Sequence, residues 1–133
     1  MKYTIPCLFG LEALVADELR RLDLKNVRVD RADYLFLHGE NIRIEDYVQN
    51  GNYSFQYCRN VTIRDAEIHS KDAFWNSEDV TIYDSVLDGE YLGWHSKRLR
   101  LVNCKISGTQ PLCYATDLVL ENCTMADDCD LAF

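Results

Sequence analysis

A nineteen-residue unit is repeated five times between Tyr34 and Asp128 without an insertion or a deletion. When the units are aligned, apolar residues fall into two columns that lie two positions apart. The first column contains Ile42, Val61, Val80, Leu99 and Leu118, and the second contains Ile44, Ile63, Ile82, Leu101 and Leu120. A fixed period of this length is typical of stacked-repeat proteins, in which no single unit can bury its apolar face alone.

Each unit also carries the signature of a strand that ends in a turn. In Val61-Thr62-Ile63-Arg64 apolar and polar residues alternate, which is the period of a strand with one buried face. A turn-forming column follows, whose side chains could hydrogen-bond from one unit to the next: Asp46, Asp65, Asp84, Asn103 and Asn122. A second turn column contains Gly51, Ser70, Gly89, Gly108 and Asp127.

These patterns predict an all-β fold, a single right-handed parallel β-helix of about five nineteen-residue coils over residues 32–133. Coils stacked about 4.8 Å apart would form a rod of about 24 Å. Leu131 opens a sixth coil that the sequence leaves truncated. We expect the strand edge over 112–125 to be unprotected and to favour self-association, because open edges pair with other strands.

Residues 1–31 form a separate N-terminal segment with a different pattern. Lys2–Leu8 is predicted as a short strand, and Val27–Val29 as another. Between them, apolar residues at three- and four-residue steps predict an amphipathic helix over Leu11–Leu22. We expect this strand and helix to cap the N-terminal end of the β-helix; a flexible appendage and an RNA-guiding remnant are the alternatives.

The repeats resemble the C-terminal coils of an uncharacterised bacterial family of pectin-lyase-like, right-handed parallel β-helix proteins. The resemblance covers residues 32–133 and implies the same winding, with no reaction assigned to the family. It is carried by Gly51-Asn52-Tyr53-Ser54-Phe55, Lys71-Asp72-Ala73-Phe74-Trp75-Asn76, Gly89-Glu90-Tyr91-Leu92-Gly93-Trp94 and Asp130-Leu131-Ala132-Phe133.

The first thirty residues resemble the start of a second family. Tyr3-Thr4-Ile5-Pro6-Cys7-Leu8-Phe9-Gly10-Leu11-Glu12, followed by Ala16-Asp17-Glu18-Leu19, is similar to the N-terminal strand and first helix of THUMP-type ribosomal RNA methyltransferases. In that family the segment helps to present RNA to a separate catalytic domain. No glycine-rich cofactor loop follows here, so we predict no cofactor. The two resemblances leave open whether the chain is a truncated or fused reading frame.

Charge and composition argue against several kinds of partner. The 14 basic and 22 acidic residues give a net charge of -8, which disfavours nucleic acid and anionic lipid. No apolar run approaches the roughly 20 residues of a membrane span, and no signal peptide is apparent, so we expect a cytoplasmic protein. The six cysteines form no C-x-x-C pair. We predict no metal site and reduced core thiols, although Cys104 and Cys123 share a column at disulfide distance.

Aromatic residues provide the candidate binding site. Trp75 and Trp94 share a column, and Tyr53 and Tyr91 lie near it. If Phe36, Phe55 and Phe74 point inward, strand alternation turns the tryptophans outward, where sugar rings could stack on them. The residues predicted to face the carbohydrate are Trp75, Trp94, Tyr91, Asn76, His95 and Glu90. Strict alternation would turn Asn76 and His95 inward, so their participation requires a bend. Packing of these aromatics into the core is the alternative.

Acid chemistry is the second candidate. Stacked Asp65 and Asp84 would approach the carboxyl separation that retaining glycosidases use. Their column continues as Asn103 and Asn122, however, which suits a turn ladder better than a catalytic pair. The nearest approach to a lyase site is Asp79 with Lys97 and Arg98.

The sequence therefore supports three hypotheses. The first is a non-catalytic scaffold or binding module for a carbohydrate or a protein partner. The second is a carbohydrate-active enzyme of the polysaccharide lyase or hydrolase type. The third is an RNA-binding fragment of a ribosomal RNA methyltransferase, which the acidic net charge disfavours.

Overall fold

The computed structural model describes residues 3–5 and 22–133, and within them every regular element is a β-strand. The strands pair in parallel and stack as a β-solenoid of about five turns, as the repeat predicts. They are β1 (Tyr3–Ile5), β2 (Leu22–Val29), β3 (Glu40–Asn50), β4 (Arg59–His69), β5 (Glu78–Tyr83), β6 (Val86–Asp88), β7 (Lys97–Val102), β8 (Lys105–Ser107), β9 (Val119–Glu121) and β10 (Thr124–Met125).

The register of the sheet follows the nineteen-residue period. Val61 pairs with Ile42 in the preceding coil and with Val80 in the following one. The same offset joins β5 to β7 and β7 to β9, and it relates β4, β6, β8 and β10 on the neighbouring face. The predicted columns are therefore rungs that lie directly above one another.

The described rungs begin earlier than the repeat. Leu22 in β2 pairs with Ile42, so this coil is one residue longer than those that follow it. β1 adds a further parallel pairing to β2, through Tyr3 and Val27. The predicted helix over 11–22 lies outside the described residues apart from Leu22, which begins β2. The predicted strand Val27–Val29 lies within β2.

A stack of phenylalanines fills one corner of the core. The rings of Phe36 and Phe55 lie 4.7 Å apart, those of Phe55 and Phe74 also lie 4.7 Å apart, and all three are fully buried. In the next two coils Gly93 and Leu112 occupy this column, and a side chain on Gly93 would meet the Leu112 methyl. Large rings and the glycine-leucine pair therefore fill the same space in successive coils.

The turns use backbone conformations that most residues avoid. Each coil has a positive φ at the same five positions, and three of these are alternate residues, such as Tyr53, Phe55 and Tyr57. The backbone N–H of Tyr53 donates to Lys71 O in the next coil, whereas that of Phe55 donates to Leu35 O in the preceding coil. These hydrogen bonds hold the turn in place, which offsets the strain expected for bulky residues with positive φ.

Within two of the turn columns, asparagine side chains form hydrogen bonds between successive coils. Asn103 Nδ2 donates to Asp84 Oδ1 at 3.0 Å, and Asn122 Nδ2 donates to Asn103 Oδ1 at 2.6 Å. In a second column Asn60 Nδ2 donates to Asn41 Oδ1 at 2.7 Å. Both columns have positive φ, which asparagine and aspartate tolerate better than most residues.

The last coil exposes apolar side chains, in contrast to the central ones. Val119, Leu131 and Phe133 are exposed, and Leu118 and Leu120 are only partly buried. The predicted self-association through residues 112–125 stays a prediction.

The cysteines within the described residues are free thiols, including Cys104 and Cys123. Burial raises the pKa of the Cys58 thiol from its ordinary 9.0 to about 12, and that of Cys104 to about 11. For Cys58 this lowers the thiolate fraction near neutral pH about a thousandfold.

We therefore expect iodoacetamide to alkylate Cys113, which is half-buried, well before Cys58. Peptide mass spectrometry of a time course at constant pH measures this order. Unfolding in urea should remove the difference, which serves as the control. Rapid native labelling of Cys58, or a Cys104–Cys123 disulfide in a non-reduced digest, would contradict the arrangement.

Candidate functional site

An open groove with a volume of about 430 Å³ runs along one side of the rod. Aromatic side chains form most of its surface, together with one amide and one carboxylate. We call it the aromatic groove, and its lining consists of Tyr34, Tyr53, Gln56, Asp72, Trp75, Tyr91 and Trp94. Its size and its few polar groups are typical of small-molecule sites in proteins.

The first wall of the groove is a single column of the repeat. Tyr34, Tyr53, Asp72 and Tyr91 follow one another at intervals of nineteen residues, with φ of 60°, 63°, 55° and 61°. The rings of Tyr34 and Tyr53 are stacked, with centroids 4.9 Å apart. Because the backbone repeats its conformation, Asp72 lies where the next tyrosine of the stack would be.

The second wall is the column of Gln56, Trp75 and Trp94. Both tryptophans are half-buried. Trp94 Nε1 donates to Gln110 O at 2.6 Å, and its ring packs edge-to-face against Tyr91 at 5.5 Å. Trp75 packs in the same way against Tyr57, at 5.8 Å. These contacts fix the rings before any ligand arrives, which reduces the entropy lost on binding.

Asp72 is the one charged residue among the seven that line the groove. Burial raises the pKa of its carboxyl, Lys71 opposes that shift, and Glu90 adds to it. The Lys71 ammonium lies 3.7 Å from the Glu90 carboxylate and 5.6 Å from the centre of the Tyr91 ring. Gln56 Nε2 donates to the backbone oxygen of Asp72, at 3.1 Å. Within the described residues no hydrogen bond reaches the Asp72 carboxylate itself.

Three of the six predicted carbohydrate-facing residues line the groove: Trp75, Trp94 and Tyr91. Asn76, His95 and Glu90 lie outside this lining. His95 is exposed and its ring is stacked on Tyr114 at 4.8 Å, while Asn76 is half-buried. Neither side chain points into the core as strict strand alternation predicts. The positive φ values of Phe74 and Asn76 bend the backbone at this turn.

Four lining residues are absent from that prediction: Tyr34, Tyr53, Gln56 and Asp72. Strand alternation predicts that Tyr34 and Tyr53 face the core, because buried Phe36 and Phe55 follow them two positions later. Alternation fails in this turn because every second residue has a positive φ. The nineteen-residue columns contain the missing signal, since Tyr34 and Tyr53 align with Tyr91, and Gln56 aligns with the two tryptophans.

Two of the acidic residues considered for catalysis, Asp84 and Asp79, have other partners. Asp84 accepts a hydrogen bond from Asn103, within the turn ladder. Arg98 Nε and Nη2 donate to the two carboxylate oxygens of Asp79, at 2.6 and 3.1 Å. This exposed bidentate ion pair lowers the pKa of Asp79 and raises that of Arg98. Arg98 is therefore a poor general base.

A histidine, an aspartate and a serine also lie together on an exposed face. His69 Nδ1 lies 3.0 Å from Asp88 Oδ2, and Ser107 Oγ donates to Asp88 Oδ1 at 2.6 Å. The hydrogen bond from Ser107 is the larger cause, and that with His69 the second, of a lowered pKa at Asp88. The serine bonds to the aspartate rather than to the imidazole, so this cluster lacks the contact that activates a serine nucleophile.

A second depression, with a volume of about 520 Å³, lies on the outer faces of β2, β3 and β4. Most of its lining is charged, and two of its residues, Lys25 and Glu45, form an ion pair at 3.8 Å. It offers no aromatic surface. Over the described ranges, no three acidic, histidine or cysteine side chains converge as metal ligands, and no helix could cross a membrane.

A family model described as "Protein of unknown function (DUF3737)" matches residues 13–133. The match covers most of the chain, including every strand from β2 to β10, so the protein belongs to this family. Among curated proteins, no significant match to the sequence is found.

Proposed function

We propose that this DUF3737 protein is a non-catalytic binding module whose aromatic groove takes a carbohydrate. The observation that carries the proposal is the groove itself, in which two walls of rings enclose one amide and one carboxylate. Sugars present apolar C–H faces that pack on aromatic rings and hydroxyl groups that bond to amides and carboxylates.

The arrangement of the groove favours binding over catalysis. It holds one carboxylate, Asp72, whereas hydrolysis of a glycoside ordinarily uses a pair. The lyase alternative is weakened by the ion pair between Arg98 and Asp79. The RNA alternative is disfavoured by the net charge of -8. Free thiols agree with the cytoplasmic compartment that forms part of this proposal.

Binding should depend on Trp75. We expect Trp75→Ala to weaken saccharide binding about tenfold or more, because truncation of a half-buried aromatic contact typically has an effect of this size. Isothermal titration with β-1,4-linked hexasaccharides measures the affinity, and tryptophan fluorescence gives a second readout. Trp75 is preferred to Trp94, whose indole N–H also holds the backbone at Gln110.

Tyr83→Ala is the matched control. Tyr83 is half-buried, as Trp75 is, and it lies on β5 outside the lining of the groove, with the Arg64 guanidinium 3.9 Å from the centre of its ring. This variant should retain the affinity of the unmodified protein. Equal losses in Trp75→Ala and Tyr83→Ala, or no binding of any saccharide by the unmodified protein, would sink the proposal. Release of new reducing ends or unsaturated products would replace it with the enzyme alternative.

A further inference from the structure

The Tyr34–Tyr53 column of the aromatic groove has a gap at one rung. Tyr34 stacks on Tyr53, but Asp72 follows in place of a third ring, and Tyr91 resumes the aromatic column. Tyr53 and Tyr91 are two rungs apart, about 9.6 Å at the usual spacing of strands. A pyranose ring placed midway would have its centre about 4.8 Å from each ring, close to the 4.9 Å at which Tyr34 and Tyr53 already stack.

The gap is suited to positive charge. The Asp72 carboxylate borders it with no hydrogen bond from the described residues, and Glu90 lies nearby. The chain's own Lys71 ammonium lies over the face of Tyr91, 5.6 Å from the ring centre. This distance is within the range at which aromatic faces attract cations. Lys71 therefore marks a position that an incoming cation could take.

We propose that the saccharide bound in the aromatic groove carries a protonated amine, as an unacetylated amino sugar does, and that this unit lies between Tyr53 and Tyr91 against Asp72. The inference rests on the proposed function, because it specifies the ligand of the same groove. The ammonium would donate hydrogen bonds to the Asp72 carboxylate, and the ring would pack between the two tyrosines. No covalent step is involved.

The charge on Asp72 gives the interaction a definite pH dependence. Burial holds the pKa of this carboxyl above its ordinary value of 3.8, so the group becomes neutral at a higher pH than an exposed aspartate. Affinity for an amine should fall as the pH is lowered through that raised pKa. A nearby ammonium favours the ionised carboxylate, so binding should lower the pKa of Asp72 and release protons from the protein.

Three hexasaccharides with the same β-1,4 linkage isolate the amine. The hexamers of glucosamine, N-acetylglucosamine and glucose differ at C2, where they carry an ammonium, an acetamide and a hydroxyl. We expect the glucosamine hexamer to bind about 10- to 100-fold more tightly than the glucose hexamer, the range for a charge-assisted hydrogen bond. Asp72→Asn should remove this preference while leaving the neutral hexamers nearly unaffected.

Two further variants separate the site from general attraction to an acidic protein. Glu67→Gln removes an exposed carboxylate on β4 outside the groove lining and should keep the preference for the amine. Lys71→Gln should raise affinity for the glucosamine hexamer roughly two- to fivefold, because it removes a competing cation. It should not change the affinity for the glucose hexamer.

The outcomes distinguish the two proposals. If all three hexamers bind equally, the inference is overturned and the proposed function stands. If Glu67→Gln loses as much affinity as Asp72→Asn, the attraction is non-specific and the inference is again overturned. If none of the three binds, both proposals fail.

Discussion

Substitution of Phe55 by alanine is expected to lower the free energy of unfolding by about 3–5 kcal/mol. Phe55 is the middle ring of the buried stack, 4.7 Å from both Phe36 and Phe74. The substitution removes both ring contacts and leaves a cavity in a corner whose backbone is fixed by hydrogen bonds to the neighbouring coils. Urea denaturation followed by circular dichroism measures the change.

Phe55→Leu provides the comparison. Leucine already occupies this column as Leu112, which is 1% exposed, so a branched aliphatic side chain fits the corner. We expect a loss of about 1–1.5 kcal/mol, typical of an exchange between large apolar side chains. If alanine and leucine at this position destabilise the protein equally, the stacked rings do not hold the corner together.

The position of Phe55 also affects how the rod unfolds. In a solenoid each coil contacts only its neighbours, so stability is approximately a sum over coils and the interfaces between them. A cavity in the second repeat unit weakens its interfaces on both sides. The same variant should therefore broaden the urea transition if the coils on either side of the cavity unfold separately.

The architecture was predictable because the period determines it. Unbroken nineteen-residue spacing from Ile42 to Leu120 requires the same backbone path in every coil, and the observed pairing of Val61 with Val80 follows from that. The columns of apolar residues then specify which faces point inward. The earlier rung at β2 was harder to predict, because its offset to β3 is twenty residues and breaks the period.

The site was less predictable than the fold. Strand alternation is a rule for extended backbone, and it fails in a turn where every second residue has positive φ. Tyrosine and phenylalanine are uncommon in that conformation, so the residue types at these positions do not indicate a positive φ. The rule therefore places Tyr34 and Tyr53 on the core side of the turn and Trp75 on the outer side, although all three line the groove.

Within the groove, the Tyr34–Tyr53 column has an aspartate between two tyrosines. A continuous tyrosine stack would cover its own ring faces and leave only edges for a ligand. Asp72 interrupts the stack and leaves the second face of Tyr53 without a ring from the described residues. A site in a repeat protein can thus arise at the coil where the repeated residue is replaced.

Gly89→Ala is expected to destabilise the protein by about 3 kcal/mol or more. The φ of Gly89 is 150°, and a Cβ there would lie 2.1 Å from Ser70 O in the preceding coil. Both the backbone conformation and the clash oppose a side chain, and strain of each kind is typically about 1–3 kcal/mol. The Cβ would be fixed to the backbone of one coil and would clash with the backbone of the other, so relief requires the two coils to separate. Thermal and urea denaturation measure the loss.

Gly93→Ala tests whether backbone contact is the decisive factor. A Cβ on Gly93 would lie 2.9 Å from a methyl of Leu112 and 3.0 Å from a methyl of Leu99. Side-chain methyls can move by rotation, so we expect a loss of about 1–2 kcal/mol, mainly from its left-handed backbone. A larger loss of stability in Gly93→Ala than in Gly89→Ala would contradict this. It would show that the coils can separate at the Gly89 turn and that backbone contact there does not set the stacking distance.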